Sequence, residues 1–179
     1  MGSPKALLDY GGMTAVRRAT ETLLRGGCAR VVVVLGAEAA SIRPAVPDQP
    51  EVVVVVNEDW PRGRTGSLKA GIRAAPKAPA WVMLPVDHPL VTPEDVRGLI
   101  EAWRPGEIPL VRPIHKGRGG HPILLDATLQ EELLALNDDE PLRNLLRSYR
   151  NRERRTPGSR GTVINVDTPE DYARNRLET

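Results

Sequence analysis

Asp87 follows the apolar run WVMLPV and Asp167 follows TVINV, so each acid falls just past a predicted strand and just before a capped helix. In open α/β sheets, ligands bind in the crevice outside the carboxyl ends of the strands. Two carboxylates meeting there would suit Mg²⁺, a hard cation that takes oxygen ligands and accompanies phosphates. The alternative is that each Asp caps its own turn or helix, an ordinary role for this residue type. Their joint placement favours the metal.

Other stretches could serve the same chemistry. Lys5 sits in MGSPK, a Gly/Ser/Pro loop that includes Gly2 and Ser3, in a chain that otherwise prefers arginine. A compact ammonium on a loop is a common phosphate ligand, although a solvated N-terminal lysine has the same look. NEDWPRGRTGSLKAG, from Asn57 to Gly71, runs from a strand into a helix expected to begin near Ser67. Gly63 and Gly66 permit close backbone approach there, and the free N–H groups of a helix start can take an anion or a base. KGRGGHP, from Lys116 to Pro122, is a glycine-dense turn in which His121 either binds substrate or satisfies the turn backbone. His88 and His115 lack metal-ligand spacing and read as surface or turn residues, and no nucleophile elbow is visible.

Short apolar runs alternating with helical patterns must position these residues. The runs are Val31–Leu35, Val52–Val56 and Trp81–Val86, with weaker ones at Leu110–Val111, Pro122–Leu125 and Thr162–Val166. This order predicts an α/β fold with a Rossmann-like, mostly parallel sheet and helices on both faces, in a single domain over residues 1–179. VVVVL and VVVVV are continuous rather than alternating, as expected of strands covered on both faces. Thr14–Arg25 carries apolar residues at helical spacing and stops at Gly26-Gly27. TPED occurs at Thr92–Asp95 and Thr168–Asp171, each with Thr as N-cap, Pro at the first helical position and acids at the positive helix end. Arg147–Gly161, charged and rich in Gly and Pro, reads as a mobile loop.

The 179 residues include 40% hydrophobic and 27% charged residues, with no phenylalanine, so Val, Leu, Ile and Ala must fill the core. A net charge of +2 gives no support for nucleic-acid binding. Cys28 is the only cysteine, which excludes an intramolecular disulfide and a thiolate-rich metal site. No apolar stretch reaches membrane-spanning length and no signal peptide is visible, so no membrane role is expected and the cytoplasm is the default compartment.

Taken in order, Met1-Gly2 with Lys5, then Asn57/Trp60/Gly63/Ser67/Leu68, Asp87/Pro89, Gly117–Pro122 and Asp167–Asp171 resemble the MobA-like NTP transferases, in particular the molybdenum cofactor cytidylyltransferase branch. The resemblance implies a nucleotidyltransferase that moves a nucleoside monophosphate, CMP from CTP, onto the phosphate of a molybdopterin-type acceptor and releases pyrophosphate. It further implies Lys5 on the triphosphate and Mg²⁺ between Asp87 and Asp167. Gly2, Ser3, Asn57, Gly66 and Ser67 would line the nucleotide, and Arg118, Gly120 and His121 the acceptor. A molybdoenzyme partner would receive the product. An anionic acceptor phosphate needs no general base, and none is apparent. In the family, a first strand and most of a glycine-rich phosphate loop precede the Met-Gly with which this chain begins. The native protein is therefore expected to carry roughly a dozen or more upstream residues, the length of a strand plus a loop. NDDEPLR, Asn137–Arg143, departs from the G-D-x-G-x-R of the cytidylyltransferases and leaves the acceptor open. The competing readings are a transferase for another phosphorylated acceptor, a guanylyl enzyme, and a non-catalytic cofactor-binding accessory protein.

Overall fold

The computed structural model describes residues 4–176. A 3₁₀ turn at Lys5–Leu7 precedes helix α1 (Ala15–Arg25), strand β1 (Val31–Leu35), a one-turn helix α2 (Ala39–Ile42) and β2 (Val52–Val56). Then follow α3 (Arg64–Ala74), β3 (Ala80–Met83), α4 (Pro93–Ala102), β4 (Leu110–His115), the two-residue β5 (Arg118–Gly119) and β6 (Ile123–Asp126). Helices α5 (Gln130–Ala135) and α6 (Leu142–Ser148), strand β7 (Glu153–Pro157) and α7 (Pro169–Asn175) complete the order.

The fold is mixed α/β. Strands β1 and β2 pair in parallel, Val31 opposite Val52 through Leu35 opposite Val56. The larger sheet runs β3-β6-β4-β5, with β7 added parallel to β4. Within it, β6 is antiparallel to both β3 and β4. Alternation along β6 and β4 shows why helices cover both faces. Ile123, Leu125 and Leu110 pack with Ile72 of α3, Leu133 of α5 and Leu146 of α6. Leu124 and Val111 pack on the other side with Leu99 of α4 and with Ile108. A third cluster joins Leu23 of α1 and Val31 of β1 to Val91 and to Val96 of α4. Among the described residues Tyr10 is the only buried aromatic ring in this aliphatic interior.

The helix starts at Thr14 and at the two TPED segments behave as the sequence predicts. Thr14 accepts from Arg17 N at the head of α1, and both TPED segments form reciprocal capping boxes with Pro in the first turn. Some local expectations fail. The Thr162–Val166 run is no strand. It lies in and after a 3₁₀ turn (Arg160–Val163), and its backbone bonds turns instead of a ladder, with Thr162 O accepting from His121 N and Val166 N donating to Asp87 O. The stretch read as a mobile loop contains β7, an edge strand whose arginines 154 and 155 are exposed while Glu153 and Thr156 turn inward. Charged edges are a common protection against further strand pairing, and they erase the apolar signal of a strand. Helix α3 begins at Arg64, earlier than Ser67. Gly63 makes this possible: its φ of 142° is open to glycine, and a Cβ there would lie 2.1 Å from the Asp138 carbonyl oxygen. Strand β3 ends at Met83, so Leu84–Val86 belong to the turn that carries Asp87.

Among the described residues β1 pairs only with β2 and β3 only with β6. A cleft of about 1680 Å³ lies between them, lined by Val31–Leu35 on one side and by residues 80–87 on the other.

Candidate active site

The N-terminal segment and α7 bring Lys5 and Asp167 together although they are 162 positions apart. Tyr10 packs edge-on against Tyr172 with centroids 5.4 Å apart, and the Tyr172 hydroxyl donates to Asp9 O at 2.8 Å. Lys5 Nζ then donates to Asp167 Oδ1 at 2.5 Å, and Asn165 Nδ2 donates to the second carboxylate oxygen. Asp171, the acid of the capping box, accepts from Asp167 N and fixes the turn that carries this group.

Asp87 reaches the same neighbourhood from the other side. Its carbonyl accepts from Val166 N at 2.8 Å, which lays the two aspartate turns side by side. Burial pushes its carboxyl up, but the His88 hydrogen bond (2.9 Å), the electrostatic influence of His88 and the charges of Arg64 and Lys5 outweigh this and hold it below the usual carboxylate range. Asp87 is therefore ionised at neutral pH. Lys5 and Asp87 both line the cleft, while the more exposed Asp167 is tied to it through Lys5.

His88 lies in a turn, as the sequence suggests, with its N–H donating to Pro85 O and its carbonyl accepting from Val91 N, but it is not a surface residue. Its side chain is only 12% exposed, bonded to Asp87, and its ring meets that of His121 edge-on with centroids 4.7 Å apart. His121 is held by its own backbone N–H donating to Thr162 O at 2.8 Å. Gly120 is pressed so closely on the same carbonyl that a Cβ would lie 2.1 Å from it. Burial, followed by the charges of His88 and Arg112, pulls the His121 pKa down to about 4, so this imidazole is neutral at pH 7. His121 lines the cleft, but Arg118 is exposed in β5 and neither it nor Gly120 lies on the lining.

At the head of α3, Asn57 Nδ2 donates to Ser67 Oγ at 3.1 Å, and Gly66 lies against Asn57 Nδ2. Ser67 and Arg64 face the cleft from the first turns of α3. Gly2 and Ser3 lie outside the described residues. Arg64 escaped the sequence reading although its position directly after Gly63, at a helix start, was the available signal. The adjacency of His88 to Asp87 was visible too, but not the direction of its ring.

Among the described residues no group of three or more His, Cys, Asp or Glu side chains is gathered to hold a metal. Asp87 and Asp167 would have to hold Mg²⁺ or Mn²⁺ in the mode where one or two acids bind the ion and substrate phosphates supply further oxygens, and their carboxylates are bonded to His88 and to Lys5 with Asn165 respectively. Lys5 now places its positive charge against one of those acids.

The family model for the MobA-like NTP transferase domain matches residues 1–154. Nicotine blue oxidoreductase of Paenarthrobacter nicotinovorans is 39% identical over 137 residues, 71% of this chain, and the chain spans only 64% of that protein's length. The crystal structure of Rv0371c from Mycobacterium tuberculosis H37Rv matches with a TM-score of 0.82 and 29% identity, covering 97% of this chain and 89% of that one. A manganese complex of Rv0371c matches with a TM-score of 0.78 and 28% identity, over 96% of this chain and 90% of that one.

Proposed function

The chain belongs to the MobA-like NTP transferase family, and we propose that its cleft transfers CMP from CTP to the terminal phosphate of a molybdopterin-type acceptor with release of pyrophosphate. The observation that carries this reading is the Lys5–Asp167 bond, with the Asp87 turn bonded alongside through Val166 N, beside a cleft whose lining holds Lys5, Asp87, Arg64, Ser67 and His121. An acceptor phosphate oxygen forms the new bond to the α-phosphorus, the bond to the bridging oxygen breaks, and pyrophosphate leaves. The acceptor is already anionic, so no side chain has to remove a proton. Lys5 and Arg64 offset charge on the triphosphate, Ser67 and the start of α3 contact the nucleotide, and Asn57 fixes the Ser67 hydroxyl. Asp87 and Asp167 would hold Mg²⁺, which when bound offsets phosphate charge and orients the oxygens. His121, neutral and buried at the glycine turn, faces the acceptor, with Arg118 and Gly120 on the same turn. The product would pass to a molybdoenzyme.

The name nicotine blue oxidoreductase carried by the Paenarthrobacter relative supports a second reading, oxidoreduction of nicotine blue in the same cleft. Pyrophosphate release is measured with molybdopterin, Mg²⁺ and either CTP or GTP. In parallel, loss of nicotine blue absorbance is followed with a reduced nicotinamide nucleotide as electron donor. Pyrophosphate with CTP alone is the expected result. Pyrophosphate with GTP alone moves the assignment to a guanylyl enzyme. Absorbance loss without pyrophosphate replaces transfer by redox chemistry.

A further inference from the structure

The segment between α5 and α6 contains NDDEPLR, which departs from the cytidylyltransferase pattern, and the structure holds it in place through α3. Lys69 lies on α3, two residues after Ser67, and is 9% exposed. Its Nζ donates to the Leu136 carbonyl at 2.8 Å and to Asp138 Oδ1 at 2.7 Å. A buried ammonium is costly unless it is paired, and charge-assisted bonds of this length are the strong ones. Two further contacts seat the same segment on the same helix. Thr65 Oγ1 donates to Glu140 O, and the Gly63 backbone leaves no room for a side chain against Asp138 O. Directly beyond these anchors, Asp139, Glu140 and Arg143 line the cleft that also holds Lys5, Asp87 and His121.

We infer that Lys69 is a positioning residue, which ties segment 136–140 to the nucleotide-side helix so that Asp139, Glu140 and Arg143 form the wall that selects the phosphorylated acceptor. Lys69 touches no reacting atom in this arrangement. Its ammonium sets the wall, and the wall supplies one cation and two carboxylates to the cleft. A helix that carries Ser67 on one face and the anchors Thr65 and Lys69 on another couples the two halves of the site. The acceptor named under the proposed transfer is assumed here, and the test separates the two claims.

Hydrogen exchange is measured on the full chain for wild type, Lys69→Met and Lys69→Arg, without ligand, with Mg²⁺ and CTP, and with molybdopterin added. Without ligand, amides of residues 136–143 are expected to exchange about tenfold faster in Lys69→Met, and close to wild type in Lys69→Arg, with α4 and β6 unchanged. In turnover, Lys69→Met is expected to raise the KM for molybdopterin about tenfold while the KM for CTP stays within about twofold. Unchanged exchange over 136–143, or a parallel rise of both KM values, overturns the inference. Should Lys69→Met not fold, Asp138→Asn weakens the same bond from its more exposed end, and the same readouts decide. If wild type releases no pyrophosphate, the transfer reading falls, while the ligand-free exchange comparison still decides whether Lys69 holds the segment. Molybdopterin that leaves residues 139–143 unprotected in a wild type that does turn over also overturns the inference.

Discussion

Asp87 and Asp167 differ in surroundings more than their matching sequence contexts suggest, and this governs what their removal should do. Asp87 is half-buried and braced by His88, whereas Asp167 is bonded to Lys5 and Asn165 in the open. If both hold the metal, Asp87→Asn and Asp167→Asn should each lower kcat by about 100-fold or more, with the fold intact. Pyrophosphate release together with circular dichroism checks this. If Asp167 served only as partner to Lys5, its variant would retain most of the activity. His121 permits a test by pH. Its folded-state pKa of about 4 lies below the ordinary 6.5, so between these values the unfolded chain binds a proton that the folded chain refuses. Stability therefore falls as pH drops from 6.5 to 4, by on the order of 3 kcal/mol from this group. Urea melts should show that slope in wild type and a shallower one in His121→Asn. The types and order of these residues were legible in the sequence. The contact of His88 with both Asp87 and His121 was not, because it depends on where a ring points after the turn closes.

At the level of elements, the two TPED segments show one local signal with two tertiary fates. Both form capping boxes, as short-range chemistry requires. Asp95 is then buried and also accepts from Ser159 N and Oγ, tying α4 to the turn after β7. Asp171 is bonded within its own helix start and to Arg174. Asp95→Ala should therefore cost about 3 kcal/mol, since it leaves buried donors unpaired, while Asp171→Ala should cost about 1 kcal/mol or less. Thermal or urea unfolding distinguishes the two outcomes. The same dependence on context explains the misread elements. The Thr162 run has strand composition but no neighbouring strand to bond, and Glu153–Pro157 has loop composition yet finds β4.

For the whole molecule, Lys5, Arg64, Ser67, Asp87 and His121 line one cleft between β1 and residues 80–87, so a ligand bound there should stabilise the folded chain as a unit. Mg²⁺ and CTP at 100 times the dissociation constant should add about 2.7 kcal/mol. That corresponds to roughly 5–10 °C in Tm for a chain of this size. A calorimetric scan should show this shift, and EDTA should abolish most of it. The sequence by itself determined the α/β class, the helix starts and the order of the chemical motifs. Those depend on period, capping and residue type, which act over a few positions. Only the tertiary structure decided that Lys5 meets Asp167, that His88 faces His121, and that Lys69 bonds Asp138. Each of these contacts joins segments distant in the chain or turns on a side-chain direction, and packing and sheet pairing determine them, not local preference.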